Sequence, residues 1–222
     1  AIGTSKLFGF ELISNFKFPY FSRDIGEFWR RWHVSLSTWF RDYLYIPLGG
    51  SKGGKWLSLR NIFIIFLVSG FWHGANWTFI MWGLIHAILY IPLFLSGKNR
   101  QYTSTIVAEN SWLPNIKELF QMGMTFFSTL IAWVFFRSDN VTNAFDFLYR
   151  LVNTFSVPSS YRYNVIYIFI LVIIDWSIKS DERNPFNKFS KKLRYPIYLM
   201  LSLSIIDFFD GSLQNSFIYF QF

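Results

Sequence analysis

Four long apolar stretches run through this chain of 222 residues, and polar connections separate them. The stretches cover residues 61–95, 119–136, 163–178 and 195–209. About 20 apolar residues carry a helix across the hydrocarbon core of a bilayer, so the first stretch is too long for one crossing. Gly70 and Gly74 bracket His73 within it and favour a break there. The pattern predicts an all-α, polytopic transmembrane helix bundle of about four to five membrane segments, with the first stretch split into 61–71 and 75–95.

The N-terminal third has a different pattern, in which aromatic and charged residues alternate. Ser22 or Asp24 can cap a helix that starts near Ile25. Residues 28–42 carry too many arginines for a helix that faces lipid alone. On one continuous helix, a polar stripe would contain Arg30, His33, Ser37 and Arg41. This stripe predicts an N-terminal helix that lies in the membrane interface or lines a polar cavity.

The composition supports a membrane protein. Hydrophobic residues make up 52% of the chain, aromatic residues 23% and charged residues 15%, whereas soluble domains contain about 25% charged residues. The absence of cysteine excludes disulfides, thiolate metal sites and a cysteine nucleophile. The net charge of +8 is better explained by basic cytoplasmic loops than by binding to nucleic acid, and no nucleic acid partner is expected.

The distribution of basic residues predicts an orientation in the membrane. Lysine and arginine concentrate in the connections 47–60, 96–118 and 179–194, which the positive-inside rule places in the cytoplasm. The connection 138–162 and the tail 207–222 are poor in basic residues and are expected outside. His73 follows Arg60 by about 12 residues, or roughly 18 Å of helix, which predicts a position near the middle of the bilayer.

His73 is the first candidate for chemistry. An ionisable imidazole within an apolar run is costly and suggests function, and a neutral imidazole can accept a hydroxyl proton. If the helix resumed at once, Asn76 and Trp77 would share its face and offer an amide and an indole N–H to bind the acyl group and stabilise an oxyanion. A histidine that is hydrogen-bonded between helices explains the pattern equally well.

His33 is the second candidate, beside Arg30, Arg31 and Arg41. These cations can bind the phosphates of a nucleotide-like donor, although a basic interfacial helix on anionic lipid is equally compatible. His86 is assigned to packing, and the histidine spacing offers no local metal site. Asp175 and Asp207 stand in or at the end of apolar segments, so a proton or substrate path of a transporter or channel is the alternative function.

Three blocks in the first 77 residues and one at the end carry a family resemblance. They are residues 28–37 (FWRRWHVSLS), 41–50 (RDYLYIPLGG), 70–77 (GFWHGANW) and 217–222 (FIYFQF). Together they resemble the membrane-bound O-acyltransferase family, in particular its alginate O-acetylation branch. The chain resembles the C-terminal part of such a protein, taken as a single domain over 1–222 with several N-terminal helices missing.

The resemblance implies an acetyltransferase of the cytoplasmic (inner) membrane whose helices surround a tunnel. Acetyl-CoA is the implied donor substrate, and no bound cofactor is implied. The implied acceptor is a hydroxyl of an extracytoplasmic polysaccharide, as in alginate or other exopolysaccharide biosynthesis, or of a partner protein. An exterior esterase-like protein is a further implied partner. His73 corresponds to the family's catalytic histidine and His33 to its second motif histidine.

Overall fold

The computed structural model describes residues 2–109, 111–154, 165–180, 186 and 189–207. These residues are helical wherever they form regular structure, which confirms the all-α class. The helices are α1 (Ile2–Leu7), α2 (Ile25–Arg31), α3 (Val34–Phe40), α4 (Lys55–Trp72), α5 (Trp77–Leu95), α6 (Ile116–Arg137), α7 (Val141–Asn153), α8 (Val165–Ser177) and α9 (Lys191–Asp207). Single turns of 3₁₀ and π helix cover Pro19–Phe21 and Arg41–Tyr45.

Three described helices are long and apolar enough to cross a membrane, namely α4, α5 and α6. The predicted break in the first apolar stretch is confirmed, because α4 ends at Trp72 and α5 begins at Trp77. However, α4 begins at Lys55 rather than near residue 61. Helix α8 is a shorter apolar helix, and the number of membrane segments stays a prediction.

Helices α4 and α5 form a tightly packed antiparallel hairpin. Gly70 faces the backbone carbonyl of Phe79, and Gly83 faces that of Phe66, with no room for a Cβ atom at either glycine. Close backbone approach of this kind is a common way for helices to associate in membranes. The third long helix, α6, packs against α5, and Asn115 and Glu118 form a capping box at its start.

The predicted cap at Asp24 is confirmed, since its side chain accepts a hydrogen bond from the Glu27 N–H at 2.6 Å. The single helix predicted across residues 28–42 is wrong. Helix α2 ends at Arg31, and His33 takes a left-handed backbone conformation (φ 45°, ψ 56°) before α3 begins. The preceding segment causes the break, because the Lys17 N–H donates to Arg31 O and the Val34 N–H donates to Asn15 O.

Buried charges fix α2 within the fold. The Glu27 carboxylate is fully buried and pairs with Arg23 at 3.1 Å and with Arg31 at 2.7 Å. Arg23 also pairs with Glu118 of α6 at 3.2 Å and donates to the Thr105 carbonyl. The network joins α2 to α6 and to the connection before it.

The chain divides into two compact units, residues 1–179 and 180–222. In the second unit, Phe186 contacts the rings of Phe189 and Tyr198. The single-domain assignment stays a prediction. The block 217–222 and the side chain of Asp207 lie outside the described part of the chain.

Candidate functional site

His73 lies in the turn that joins α4 to α5. Its N–H donates to the Gly70 carbonyl at 3.0 Å, and its half-buried ring contacts Trp72, Trp82 and Phe136 at centroid distances of 4.9, 5.3 and 4.9 Å. Burial lowers the pKa of His73, and with a smaller contribution from the neighbouring His33 the value falls to about 4. The imidazole is therefore neutral near pH 7 and able to accept a proton.

His33 belongs to the same electrostatic environment although it lies 40 positions earlier in the sequence. Its left-handed backbone directs a half-buried ring against Phe16 at 5.8 Å. Burial lowers the pKa of His33 as well, and its Nδ1 atom has no hydrogen-bond partner among the described residues. The structure thus brings the two predicted histidines together. Among the described residues, no three His, Asp or Glu side chains form a group suited to a metal ion.

Asn76 and Trp77 do not share a helical face with His73, because the chain turns between them. The Asn76 Oδ1 atom accepts from the Thr78 N–H at 3.1 Å, and its Nδ2 atom donates to the Asp139 carbonyl at 2.9 Å. Both ends of this amide therefore serve the start of α5 and its link to the α6–α7 turn. Trp77 is 75% exposed. Neither residue is arranged to hold an oxyanion beside His73.

A cavity of about 740 Å³ lies beside α4, within the size range of small-molecule sites. On α4 its wall consists of Ile62, Ile65, Phe66 and Ser69, which follow one face of the helix. Ser51, Asn99 and Arg100 line it beyond the start of α4 and the end of α5, so its mouth lies at the end of the hairpin opposite to His73. Ser69 lies one helical turn before His73, so the inner end of the cavity approaches the candidate base.

Three arginines surround this cavity, namely Arg30, Arg41 and Arg100. Arg30 donates to the carbonyls of Asn99 and Tyr102 and retains an unpaired Nε atom, while Arg41 pairs with Asp42 at 2.7 Å. Arg31 does not line the cavity, because its guanidinium binds Glu27. Sequence reasoning missed Arg100, although the basic character of the connection 96–118 was visible.

A buried polar stripe on α5 continues the cavity wall towards His73. Tyr90 and Phe94 line the cavity, and the same face continues at four-residue steps through the members of the stripe, His86, Trp82 and Thr78. These three side chains are at most 3% exposed. The Thr78 hydroxyl, the Trp82 indole N–H and both His86 ring nitrogens lack hydrogen-bond partners in the described structure. Buried polar atoms normally have partners, so these groups are exceptions within the described core.

The structure supports the assignment of His86 to packing. Its ring is fully buried and contacts Trp29 at 4.9 Å and Trp82 at 5.0 Å. The position is thus that of a packed side chain. The two unpaired nitrogens distinguish it from an ordinary core residue, and the sequence carried no signal for them.

Comparison with known proteins finds sequence similarity to membrane acyltransferases. Residues 1–105 match the profile of the membrane-bound O-acyltransferase family. The chain is 44% identical over 142 residues to a probable alginate O-acetylase of Pseudomonas syringae. The aligned region covers 64% of this chain and 25% of that protein. It is 41% identical over 153 residues to a peptidoglycan O-acetyltransferase of Helicobacter pylori, covering 68% and 27%.

A relative with lower sequence identity is named for the transfer of D-alanine rather than acetate. The chain is 37% identical over 123 residues to a teichoic acid D-alanyltransferase of Bacillus subtilis, covering 52% of this chain and 29% of that protein. The chain thus spans between a quarter and a third of the length of these relatives.

Proposed function

We propose that the protein transfers an acyl group from a thioester donor to a hydroxyl, with His73 as the base. The match of residues 1–105 to the membrane-bound O-acyltransferase profile supports this class of reaction. Acetyl-CoA is the proposed donor. The proposed acceptor is a hydroxyl of an extracytoplasmic polysaccharide or of an exterior esterase-like partner protein. The named activities of the relatives, O-acetylation of alginate or peptidoglycan, support this class of reaction.

The observation that carries the proposal is the relation of the cavity to His73. The arginine-lined mouth suits the phosphates of a nucleotide-like donor, since guanidinium groups form charge-assisted hydrogen bonds with phosphate oxygens. The apolar interior suits a thin, uncharged chain. The inner wall then ends at Ser69, one helical turn from a neutral imidazole.

The buried polar stripe supports a route for the last part of the donor. The pantetheine arm of CoA carries two secondary amides, each with one donor and one acceptor. Eight residues separate Thr78 from His86, which corresponds to about 12 Å of helix. An arm that entered between this face and the rings packed on it would find partners for its amides in the unpaired groups of Thr78, Trp82 and His86.

The chemistry follows from the states of these groups. Neutral His73 accepts the hydroxyl proton while the hydroxyl oxygen attacks the thioester carbonyl. The resulting oxyanion needs a donor, and the Trp82 indole is suited to the role, because its ring lies 5.3 Å from that of His73 and its N–H is unpaired. Collapse breaks the carbon–sulfur bond, and the proton passes from His73 to the departing sulfur. The products are an ester and a free thiol.

The test uses the full-length protein in vesicles of defined lipid with labelled acetyl-CoA and an acceptor oligosaccharide. We expect His73→Ala to lower transfer by at least 10²-fold, whereas a change at the exposed Lys117 to alanine leaves it unchanged. Free thiol should appear only when donor and acceptor are both present. Wild-type transfer by His73→Ala contradicts the assignment, and acceptor movement without thiol release indicates a transporter.

A second pair of variants tests the role of Trp82. Trp82→Phe keeps an aromatic ring but removes the indole N–H, and we expect kcat to fall by about 10²-fold. Trp56→Phe is the matched control, since Trp56 also belongs to the α4–α5 hairpin but is 84% exposed. Equal kcat for the two variants rules out the oxyanion role.

A further inference from the structure

A second cavity, of about 420 Å³, forms a groove between the end of α5 and the start of α6. Both helices are long and apolar enough to cross a membrane. The groove follows one face of each helix. On α5 and its C-cap the lining residues are Leu89, Pro92, Leu93 and Ser96, and on α6 they are Phe120, Gln121, Met124, Thr125 and Ser128. Its lining residues differ from those of the arginine-lined cavity.

The α4–α5 hairpin places this groove at one boundary of the membrane. Gly83 of α5 faces the Phe66 carbonyl of α4. Six residues further along both antiparallel helices, Arg60 therefore lies level with Leu89. Arg60 is exposed, and an exposed arginine near the end of a spanning helix extends its guanidinium to the headgroup level. The groove runs outward from Leu89 to Ser96 along α5, so it lies at that level.

The outer end of the groove contains a carboxylate oxygen that lacks a hydrogen-bond partner. Asp24 uses its Oδ1 atom to accept the Glu27 N–H, whereas its Oδ2 atom has no partner within the described part of the chain. A Cβ atom on Gly26 would lie 3.2 Å from both Asp24 Oδ1 and the Asn99 carbonyl. The carboxylate thus lies beside the end of α5, where the helix dipole adds partial negative charge.

The neighbouring arginines leave this oxygen without a donor. Arg30 is close enough to interact electrostatically with Asp24, but its guanidinium donates to two backbone carbonyls instead. Arg23 also lines the groove, and its charge is balanced by Glu27 and Glu118. The outer end is therefore suited to a cation that can donate a hydrogen bond.

The inner end of the groove is apolar and continues along the outside of the two helices. Leu89 and Met124 line it. One helical turn deeper in the membrane, Ile88 and Phe127 are 54% and 56% exposed. The groove thus combines an acidic outer end with an apolar inner path. A phospholipid has the matching distribution, because its headgroup amine lies outermost and its acyl chains point inward.

We propose that this groove binds one phospholipid with a primary amine headgroup, such as phosphatidylethanolamine. Its ammonium donates a hydrogen bond to Asp24 Oδ2, and its acyl chains extend along Ile88 and Phe127. A primary ammonium has three N–H donors, whereas the quaternary amine of a choline headgroup has none. The site therefore selects by hydrogen bonding and not by lipid charge alone. The proposal does not depend on the proposed acyl transfer.

Native mass spectrometry of the delipidated full-length protein tests the selectivity. Phosphatidylethanolamine, phosphatidylcholine and phosphatidylglycerol with identical acyl chains are added separately. We expect one phosphatidylethanolamine to bind about tenfold more tightly than phosphatidylcholine, since a hydrogen bond to a charged group is gained, and phosphatidylglycerol to bind no better than phosphatidylcholine. Equal affinities overturn the proposal. Absence of binding also overturns it and indicates that another part of the full-length protein covers the groove.

A matched pair of variants tests the role of the carboxylate. Asp24→Asn keeps an oxygen that accepts the Glu27 N–H but removes the charge, and we expect it to lower the affinity for phosphatidylethanolamine to that for phosphatidylcholine. Asp146→Asn removes an exposed carboxylate of α7 and should leave the preference unchanged. Thermal unfolding without lipid verifies that both variants are folded. An unchanged preference in Asp24→Asn overturns the proposal.

Crosslinking of the wild-type protein locates the lipid without any substitution. Phosphatidylethanolamine with a diazirine in one acyl chain is photoactivated in vesicles that contain the full-length protein. We expect adducts on residues 88–96 and 120–128, and excess unlabelled phosphatidylethanolamine should remove them. Adducts spread evenly over α4, α5 and α6 overturn the proposal. All three measurements omit donor and acceptor, so their failure is distinguishable from failure of the proposed function.

Discussion

Each histidine of this site takes its properties from its surroundings. His73 is held among aromatic rings in a turn, His33 has a left-handed backbone, and His86 is buried with both nitrogens unpaired. The sequence pointed to His73 and His33 through their motifs. It could not reveal the state of either ring, because burial and mutual proximity depend on side chains from α5 and α6.

The acidity of His73 leads to a prediction about pH. Its pKa is lowered to about 4, so the neutral, proton-accepting form persists as the pH falls until that value is approached. We expect kcat of the full-length protein to change by less than about twofold between pH 7.5 and 5.5, whereas a base of pKa 6.5 would lose about tenfold. Initial rates of thiol release at saturating substrates measure this. A tenfold decrease at pH 5.5 would contradict the buried, neutral state.

Asn76 should contribute to stability rather than to catalysis. Asn76→Ala removes the cap of α5 and the bond to Asp139, and we expect a loss of about 1 kcal/mol and a decrease in unfolding temperature of about 2–4 °C. Asn76→Asp keeps the acceptor for the Thr78 N–H and should lose less. Thermal unfolding in detergent and kcat are measured together. A 10²-fold decrease in kcat at unchanged stability would restore the oxyanion role to Asn76.

At the level of elements, the hydrophobic pattern predicted the apolar segments, the two glycines around His73 predicted the break there, and the residue types before Ile25 predicted a cap, which is Asp24. It failed where polar contacts between distant segments decide the backbone. The aromatic pattern continues through Trp32 and His33, yet backbone hydrogen bonds with Asn15 and Lys17 divide the helix there. The start of α4 was also missed, because Lys55 and Arg60 reduce hydropathy but do not interrupt helical hydrogen bonding.

The glycine contacts of the hairpin give a prediction with an internal control. Gly70→Ala and Gly83→Ala place a Cβ atom against the carbonyls of Phe79 and Phe66. Backbone cannot move aside as a flexible side chain can, so each variant should lose about 1–3 kcal/mol. Gly123→Ala meets no atom within 4 Å on α6 and should gain up to about 1 kcal/mol. Thermal unfolding compares the three variants, and equal effects would mean that the hairpin tolerates separation.

At the scale of the whole molecule, the candidate site combines segments that are far apart in the sequence. The cavity mouth uses Arg30 and Arg41 from the N-terminal helices and Arg100 from the connection after α5. Arg30 and Arg41 were predicted as binding residues from the sequence blocks that contain them. Arg100 could not be, since only the folded chain places Asn99 against Arg30.

The mouth arginines should affect binding of the donor. We expect Arg100→Gln to raise KM for acetyl-CoA by up to about tenfold, because one charge-assisted hydrogen bond is lost, and to leave kcat nearly unchanged. The effect should diminish at 0.5 M salt, where exposed charges are screened. Lys117→Gln is the matched control, as it removes one exposed positive charge elsewhere. The same KM for both variants would exclude phosphate binding at the mouth.

The ion pair between Arg23 and Glu118 also constrains the order in which this region assembles during synthesis. Arg23 and Glu118 are 95 positions apart, which corresponds to about 5–20 s of synthesis at typical rates. During that interval Arg23 lacks one of its two acidic partners. A segment with unneutralised charge enters lipid at a high cost. The complete charge network around Arg23 therefore forms only after Glu118 has been synthesised.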